Sequence, residues 1–470
     1  MACFWLNQDA TNVEILSYIQ QKEAVFYNIQ VTVGEIFWVI PRRYSEFYAL
    51  HQTLVMDHGL SKDILPDKQL LHIRSPMFIE TRRKGLEKYL RHALTFLQQT
   101  MPKVFVNFLG FNKYDIFFLL QDMAVKMFSE ADTILSRDKG HDFITLELFA
   151  LTEFLQKAIP VPECSEHKCD IGVILDVCSQ LQIVNVKAEG RSNTDTLYEK
   201  SSIDLCKLQF DLSPFKTLHM LNLEKLSMQQ LVGLGNLRNT LVTLKVNKCR
   251  VSSIADVLQC DIKWKELETL DLSSNDIKQI DSTLLLAPKL RNLLLNDNDI
   301  TTIENLSSMS NLSTLSIANN SIKRINELHT KVGNILYLNM SQNGIQSCEG
   351  FSKMYSLESL DLSCNKIFDM KEIQHLGRLL NLNNLALTGN PLAGFVDYRV
   401  KVLEYFDEQA KDLVLDNEKP TQPELDKVNV LKALRIVREG KVPDLKINLS
   451  LSVLTLMQNL VLATCQDEVF

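Results

Sequence analysis

The chain has 470 residues, a formal net charge of −7 and 46% apolar residues. This length exceeds what one hydrophobic core usually serves, so two or three folded units are expected. The acidic balance argues against a general nucleic-acid binder, and the ten scattered cysteines favour a reducing compartment over a disulfide framework.

The first hundred residues predict three strands followed by two helices. Residues 13–41 are rich in Val, Ile and aromatic residues, and breaks near Gln20 and Gly34 divide them into three antiparallel strands. Residues 45–58 predict a helix whose apolar face carries Phe47, Leu50 and Leu54, and a second helix fits residues 78–97. No basic segment followed by an apolar run precedes them, so no signal peptide is predicted and a cytosolic protein is expected.

Positive charge gathers on this part of an acidic chain. Residues 41–95 contain ten Lys/Arg against six Asp/Glu. The charges at Arg83, Lys84 and Lys88 also fit an ordinary solvated helix face. Arg43 and Tyr44, by contrast, join a strand to a helix, and a guanidinium fork beside an aromatic ring suits a phosphorylated sugar-like ring. Lys68 and Arg82 are placed to complete such a pocket from separate segments.

Three motifs in order resemble the landmarks of the PX family: R-R-Y-S-E-F from Arg42, L-P-x-K ending at Lys68, and F-I-E-x-R-R-x-G-L-E-x-Y-L from Phe78. The resemblance implies a phosphoinositide-binding PX domain over residues 12–115. It also implies that Arg43 binds the 3-phosphate, Tyr44 stacks under the inositol ring, Lys68 meets the 1-phosphate and Arg82 binds the ring hydroxyls of phosphatidylinositol 3-phosphate. Asp67 departs from the common L-P-P-K pattern.

Apolar residues follow the L-P-x-K motif in the same loop. Leu70, Leu71 and Ile73 form a hypothetical membrane-insertion loop, where apolar burial in a bilayer would add to headgroup contacts.

Residues 116–205 predict a helical linker with loops. Their Met and aromatic positions recur at helical spacing, which is typical of packing rather than of a ligand site. Cys164, His167 and Cys169 invite a zinc interpretation, but no second ligand pair lies near them in the sequence. No metal or cofactor is therefore expected, and the alternative is an exposed loop with free thiols.

A leucine-rich repeat pattern, L-x-x-L-x-L-x-x-N, occurs six times in residues 206–395, with its asparagines at 275, 298, 320, 343, 365 and 390. Each L-x-L predicts a short parallel strand, and each buried asparagine is expected to bond its own turn and the neighbouring coil. Two weaker copies place Cys249 and Leu226 at the asparagine position. About eight coils are expected, which makes the fold a multi-domain α+β protein with an α/β solenoid.

The outward positions of the repeat strands predict a sparse concave surface. Most are small and polar, whereas Tyr337, Leu294, Asp271 and Asp361 could anchor a protein partner. Binding through the convex side or the helical middle is the alternative.

Residues 396–438, which begin around Asp397-Tyr398-Arg399, predict a cap that covers the last coil, followed by one more helix. Residues 439–470 form a tail. Its uncharged stretch, residues 447–466, is interrupted by polar residues, which favours an amphipathic or disordered end over a membrane anchor.

The order of PX domain, helices, repeats and D-Y-R cap resembles the nischarin, or imidazoline-receptor candidate, family, in a form without a long C-terminal region. The resemblance implies an adaptor on early or recycling endosomes, or at the plasma membrane, that binds integrin α-chain tails and small-GTPase pathway kinases and restrains cell migration. No catalytic motif occurs, so an enzyme is not expected. The alternative is a sorting-nexin-like trafficking or tethering factor.

Overall fold

The computed structural model describes residues 11–21, 24–34, 36–68, 75–136, 138–156, 170–188, 208–258 and 263–438. The strands, in chain order, are β1 Thr11–Gln21, β2 Ala24–Val33, β3 Ile36–Arg43, β4 His141–Ile144, β5 Ile183–Lys187, β6 Phe210–Asp211, β7 Met220–Glu224, β8 Leu231–Val232, β9 Thr243–Asn247, β10 Thr269–Asp271, β11 Asn292–Leu294, β12 Thr314–Ser316, β13 Tyr337–Asn339, β14 Ser359–Asp361, β15 Asn384–Ala386 and β16 Val414–Leu415. The α-helices are α1 Tyr44–His58, α2 Pro76–Leu97, α3 Lys103–Phe108, α4 Phe111–Leu135, α5 Thr145–Gln156, α6 Gly172–Gln180, α7 Leu328–Lys331, α8 Tyr398–Leu403 and α9 Gln422–Arg438.

The chain divides into two units, each with its own core. The first unit comprises Met1–Leu181, Lys187–Lys216 and Gln229–Val232, and the second comprises Gln182–Val186, Thr217–Met228 and Gly233–Phe470. In the described part of the chain, no helix is both long and apolar enough to cross a bilayer.

An antiparallel three-stranded sheet, in the order β1-β2-β3, begins the first unit. Alternate residues of β2 point into the core, where Tyr27, Ile29, Val31 and Val33 are buried. This alternation buries one face of the sheet. The prediction of three antiparallel strands is confirmed.

Helices α1 and α2 pack against this sheet through aromatic and aliphatic side chains. Phe47, Leu50 and Leu54 of α1 are buried, as their spacing predicts. The Phe47 ring packs edge-on against those of Tyr89 and Phe108, with ring centroids 6.4 and 4.9 Å away. This cluster holds the junction of β3 and α1, where Arg43 and Tyr44 lie.

One short strand from each repeat builds the sheet of the second unit, whose order runs β5-β7-β9-β10 and then consecutively to β16. Neighbouring strands from β7 onward are parallel, and their leucines stay in register: Leu270 lies opposite Leu244 and Leu293. These leucines are fully buried. The unit therefore has a large parallel sheet with one apolar face.

The asparagines form the expected ladder of hydrogen bonds. Asn298 donates to the carbonyl of Leu272 in the preceding coil and to that of Leu295 in its own coil, both at 3.1 Å. Its Oδ1 accepts the backbone N–H of Ile277 at 3.0 Å. Equivalent bonds occur at the other repeat asparagines. Pairing these polar groups offsets the cost of burying them.

The residue before each ladder position has a positive φ, which the sequence pattern did not predict. These residues are Lys225, Lys248, Ser274, Asp297, Asn319, Gln342, Cys364 and Gly389. Their left-handed conformation turns the chain from strand to loop, and it also occurs in the two coils with Leu226 or Cys249 at the ladder position.

An aspartate continues the ladder beyond the last repeat. Asp416 Oδ1 accepts the backbone N–H groups of Leu387 and Thr388 at 2.7 and 3.0 Å, and Asp416 Oδ2 accepts the Tyr398 hydroxyl at 2.8 Å. Arg399 donates to Glu424 at 2.8 Å. The residues after Asn390 thus form a connected end to the sheet.

The linker interpretation of residues 116–205 needs correction. It omitted two strands, β4 and also β5, a strand of the repeat sheet in which Val184 and Val186 are buried. Burial of alternate residues gives this segment a strand's pattern. The insertion residues Leu70, Leu71 and Ile73, the Cys164–Cys169 loop and the tail all lie outside the described residues.

Candidate functional site

The buried guanidinium of Arg82 is the centre of the first candidate site. Arg82 lies on the inner face of α2 and is only 8% exposed. Its Cζ lies 4.3 Å from the ring centroids of both Tyr44 and Phe78. Two aromatic contacts of this kind stabilise a cation and hold its plane in one orientation.

Tyr44 connects the start of α1 to the loop that carries Lys68. Its hydroxyl donates to the carbonyl of Pro66 at 2.6 Å. Burial raises the pKa of Tyr44; the Arg82 cation opposes that shift and the Asp67 carboxylate adds to it. The phenol therefore stays protonated and keeps donating to the loop.

The loop is also held from the side of α2. Arg82 donates weakly to the carbonyl of Asp67 at 3.5 Å. Gly85 lies so close to the loop that a Cβ atom there would be 2.7 Å from Pro66 Cγ. Pro66 is thus fixed by contacts from both α1 and α2, and Lys68 follows two residues later.

Arg43 and Lys68 lie exposed at the edges of this arrangement. Arg43 ends β3, its backbone N–H donates to Glu46 at 2.7 Å, and its guanidinium lies 4.7 Å from the centroid of the Phe26 ring. Lys68 Nζ lies 6.0 Å from the centroid of the Tyr48 ring. Tyr48 is one helical turn beyond Tyr44.

Two neighbouring arginines have structural partners. Arg42 donates to the carbonyl of Phe108 at 3.0 Å and forms an ion pair with Glu46 at 3.8 Å. Arg83 forms ion pairs with Glu80 and Glu87 and donates to the carbonyl of Ile15. Arg42 and Arg83 therefore stabilise the fold, and the solvated-face interpretation of Arg83 is too simple.

The structure brings Tyr44 and Arg82 into contact and places Lys68 on a loop bonded to both. Within the described residues, no carboxylate lies within ion-pair distance of Arg43, Lys68 or Arg82. Sequence reasoning missed the contributions of Phe78 and Tyr48. Their spacing of four residues from Arg82 and from Tyr44 was the available signal.

The second candidate surface is the outward face of the repeat strands. Tyr337 is 46% exposed, and its hydroxyl donates to Glu358 at 3.3 Å. Leu294 lies directly opposite Asp271 and Ser316 in the strand register. The sheet places these residues on one face but not side by side. Tyr337 is the first residue of β13, whereas Leu294 is the last residue of β11, two strands away.

The two aspartates on this face already have local hydrogen-bond donors. Asp271 accepts the Ser273 backbone N–H at 3.0 Å. Asp361 accepts the backbone N–H and the hydroxyl of Ser363 at 2.9 and 2.6 Å. Each carboxylate therefore also stabilises the turn after its strand. Within the described residues, no group of His, Cys, Asp and Glu side chains could hold a metal ion.

Known proteins resemble parts of the chain. Human sorting nexin-22 is 34% identical over 89 residues, which are 19% of this chain and 44% of that protein. Human kinesin-like protein KIF16B is 32% identical over 109 residues, 22% of this chain and 8% of that protein. The chicken serine/threonine-protein kinase 11-interacting protein is 33% identical over 109 residues, 21% of this chain and 10% of that protein. The chain spans less than half the length of each of these relatives.

Solved structures that resemble the chain include a PX domain and an internalin. A designed CISK-PX domain has 30% identity and a TM-score of 0.20, covering 21% of this chain and 98% of that chain. An internalin (inlF) of Listeria monocytogenes has 22% identity and a TM-score of 0.34, covering 47% of this chain and 65% of that chain. The family model described as PX domain matches residues 31–112. The chain therefore carries an N-terminal PX domain.

Proposed function

We propose that the PX domain binds a phosphoinositide headgroup and recruits the chain to endosomal membranes. One observation carries the proposal: Arg82 is a buried cation without a carboxylate partner among the described residues. A buried charge that no carboxylate neutralises costs free energy, and an anionic ligand would offset that cost. Arg43 and Lys68 add two exposed cations from separate segments.

The roles within this site follow the PX resemblance. Arg43 would bind the 3-phosphate, Tyr44 would stack under the inositol ring, Lys68 would meet the 1-phosphate and Arg82 would bind ring hydroxyls. The two aromatic contacts restrict the directions of the Arg82 N–H groups, which suits a donor that must meet ring hydroxyls in fixed positions. The ligand would be phosphatidylinositol 3-phosphate.

Vesicle co-sedimentation tests this site. Full-length protein is mixed with phosphatidylcholine vesicles that contain or lack phosphatidylinositol 3-phosphate, and wild type is compared with Arg43→Ala. Lys88→Ala is the matched control, because it removes one exposed charge from α2. We expect at least about a tenfold loss for Arg43→Ala and little change for Lys88→Ala, since a charged hydrogen bond contributes about 1.5–3 kcal/mol. Equal binding by all three proteins would refute the site.

Membrane insertion by Leu70, Leu71 and Ile73 remains part of the proposal. Met77, near the start of α2, is an apolar side chain that is 82% exposed. Substituting serine at all three loop positions should weaken binding to vesicles without changing binding to the soluble headgroup. A variant that floats with vesicles as well as wild type would contradict insertion.

The repeat unit would supply a protein-binding surface, which makes the chain a non-enzymatic adaptor. The exposed Tyr337 ring is the best anchor on the outward strand face, with Leu294 two strands away on the same face and Asp271 and Asp361 adding charge. By resemblance to nischarin, the partners would be integrin α-chain tails and kinases of small-GTPase pathways, and the chain would restrain cell migration. Capture of such a partner should fall with Tyr337→Ala. Unchanged capture would favour the convex side or the helical region.

A second candidate is a sorting-nexin-like trafficking or tethering factor, which the similarity to sorting nexin-22 favours. Both functions need the same lipid site, so the partner distinguishes them. A tagged chain should lie on early or recycling endosomes and leave them with Arg43→Ala. If Tyr337→Ala then disturbs cargo sorting but not migration, the trafficking function is supported.

A further inference from the structure

A cavity of about 540 Å³ opens on the repeat unit between two successive coils. Thr301 and Thr302 line it from one coil, and Ser321, Lys323, Arg324 and Lys331 line it from the next. These residues lie in the loops after the ladder asparagines, away from the strand positions of Tyr337 and Leu294. The cavity is therefore separate from the outward strand face.

Its lining is strongly cationic. It contains two lysines and one arginine but no aspartate or glutamate. Across the parts of the chain that the structure describes, none of these three cations lies within ion-pair distance of a carboxylate. Three cations in other coils do form ion pairs: Lys248, Arg291, and Lys289, which lies 2.7 Å from Glu266. Three unneutralised cations around one cavity give a local positive potential on an acidic protein.

The repeat itself does not require these cations. Ile322 is buried and Ile325 is partly buried, and the two positions between them point away from the core. The same two positions hold Lys278-Gln279 two coils earlier and Gln346-Ser347 one coil later. The adjacent pair Lys323-Arg324 is therefore specific to this coil and is not part of the repeat pattern.

The backbone of the following coil helps to fix the cationic edge. Gly344 donates its N–H to the carbonyl of Ile322 at 2.8 Å. A Cβ atom on Gly344 would lie 3.2 Å from Cγ of Lys323. The stem of Lys323 thus lies against the backbone at Gly344.

We propose that this cavity binds a small ligand carrying two or more phosphate groups. An arginine fork matches phosphate oxygens, lysines add point charges, and the hydroxyls of Thr301, Thr302 and Ser321 can donate to further oxygens. The volume suits a small molecule better than an extended acidic peptide. The phosphates could belong to a soluble compound or to a lipid headgroup, because the recognised chemistry is the same.

Calorimetric titration of the full chain with inositol hexakisphosphate tests the proposal at about 0.15 M salt, where long-range attraction is screened. All proteins carry Arg43→Ala, so that the PX site does not dominate binding. Lys323→Ala with Arg324→Ala should weaken binding about a hundredfold, since the loss of each charged contact is worth about a decade. Lys278→Ala with Lys366→Ala is the control, because it removes two exposed repeat lysines outside the cavity.

Thermal denaturation first checks that both double variants are folded. Loss of binding only in the Lys323/Arg324 variant supports the cavity. The proposal is overturned if the Arg43→Ala protein does not bind the ligand, or if both double variants lose binding equally. It is also overturned if hexaglutamate competes as well as the phosphate ligand. Vesicles containing phosphatidylinositol 4,5-bisphosphate separate the sources: binding through the cavity identifies a lipid headgroup, and binding of the soluble ligand alone identifies a soluble compound.

Discussion

The contact between Gly85 and Pro66 leads to the sharpest prediction for the PX domain. A Cβ atom at residue 85 would lie 2.7 Å from Pro66 Cγ, whereas ordinary contact begins at 3.4 Å. In Gly85→Ala, the loop must therefore move by about the 0.7 Å that separates these distances. The carbonyl of Pro66 accepts the Tyr44 hydroxyl at 2.6 Å, so the shift also reaches the candidate headgroup site.

The substitution has opposing effects on stability. Alanine favours the helix over glycine by about 1 kcal/mol, whereas overpacking costs about 1–3 kcal/mol. The net loss in the free energy of unfolding should be about 0–2 kcal/mol. If displacement of Lys68 removes one charged hydrogen bond to the lipid, vesicle binding should weaken about tenfold.

Co-sedimentation with phosphatidylinositol 3-phosphate vesicles and thermal denaturation measure the two effects together. His92→Ala is the matched control, because His92 is exposed on the same helix and alanine raises helix propensity there too. If Gly85→Ala binds vesicles like wild type and is stabilised by about 1 kcal/mol, as a substitution free of contacts would be, then the contact with Pro66 does not position the loop.

Two further predictions concern the repeat unit. Asn343→Ala should lower the free energy of unfolding in urea by about 2–4 kcal/mol, because it leaves buried backbone groups in two coils unpaired, whereas exposed Asn381→Ala should cost less than about 1 kcal/mol. Equal effects would contradict the ladder's role. Burial alone would raise the pKa of Glu424, but hydrogen bonds from the Thr421 backbone N–H and from Arg399 outweigh burial, so the net pKa is lowered. Its stabilisation is therefore complete above its unfolded pKa, about 4.3, and is lost as pH falls through the lower folded value; Glu424→Gln should flatten stability against pH in that acidic range, and an unchanged slope would contradict the pairing.

The repeat sheet was predictable because its pattern is local and repeated. The spacing of leucines and asparagines gave the strands near Leu270 and Leu293 and the bonds of Asn298. Leu181, Val184 and Val186 fit the apolar positions of the pattern, but Glu189 stands at the asparagine position, so the strand β5 was missed. Whether such a partial match forms a strand depends on burial by neighbouring coils, which the sequence of one segment does not reveal.

The candidate headgroup residues could be named from sequence, but not their arrangement. The motifs identified Arg43, Tyr44, Lys68 and Arg82 as residues that act together. The placement of Arg82 between two rings depends on side-chain packing among three separate segments. No spacing along the chain fixes such a packing arrangement.

The last strand of the repeat sheet has an outer edge that is already occupied. Leu415 and Glu418 exchange two backbone hydrogen bonds, at 3.0 and 3.1 Å, and Arg399 donates to the carbonyl of Leu415 at 2.8 Å. An unpaired strand edge can template the addition of another chain. Here the polypeptide blocks its own edge, so this side of the sheet resists both further growth and edge-to-edge aggregation.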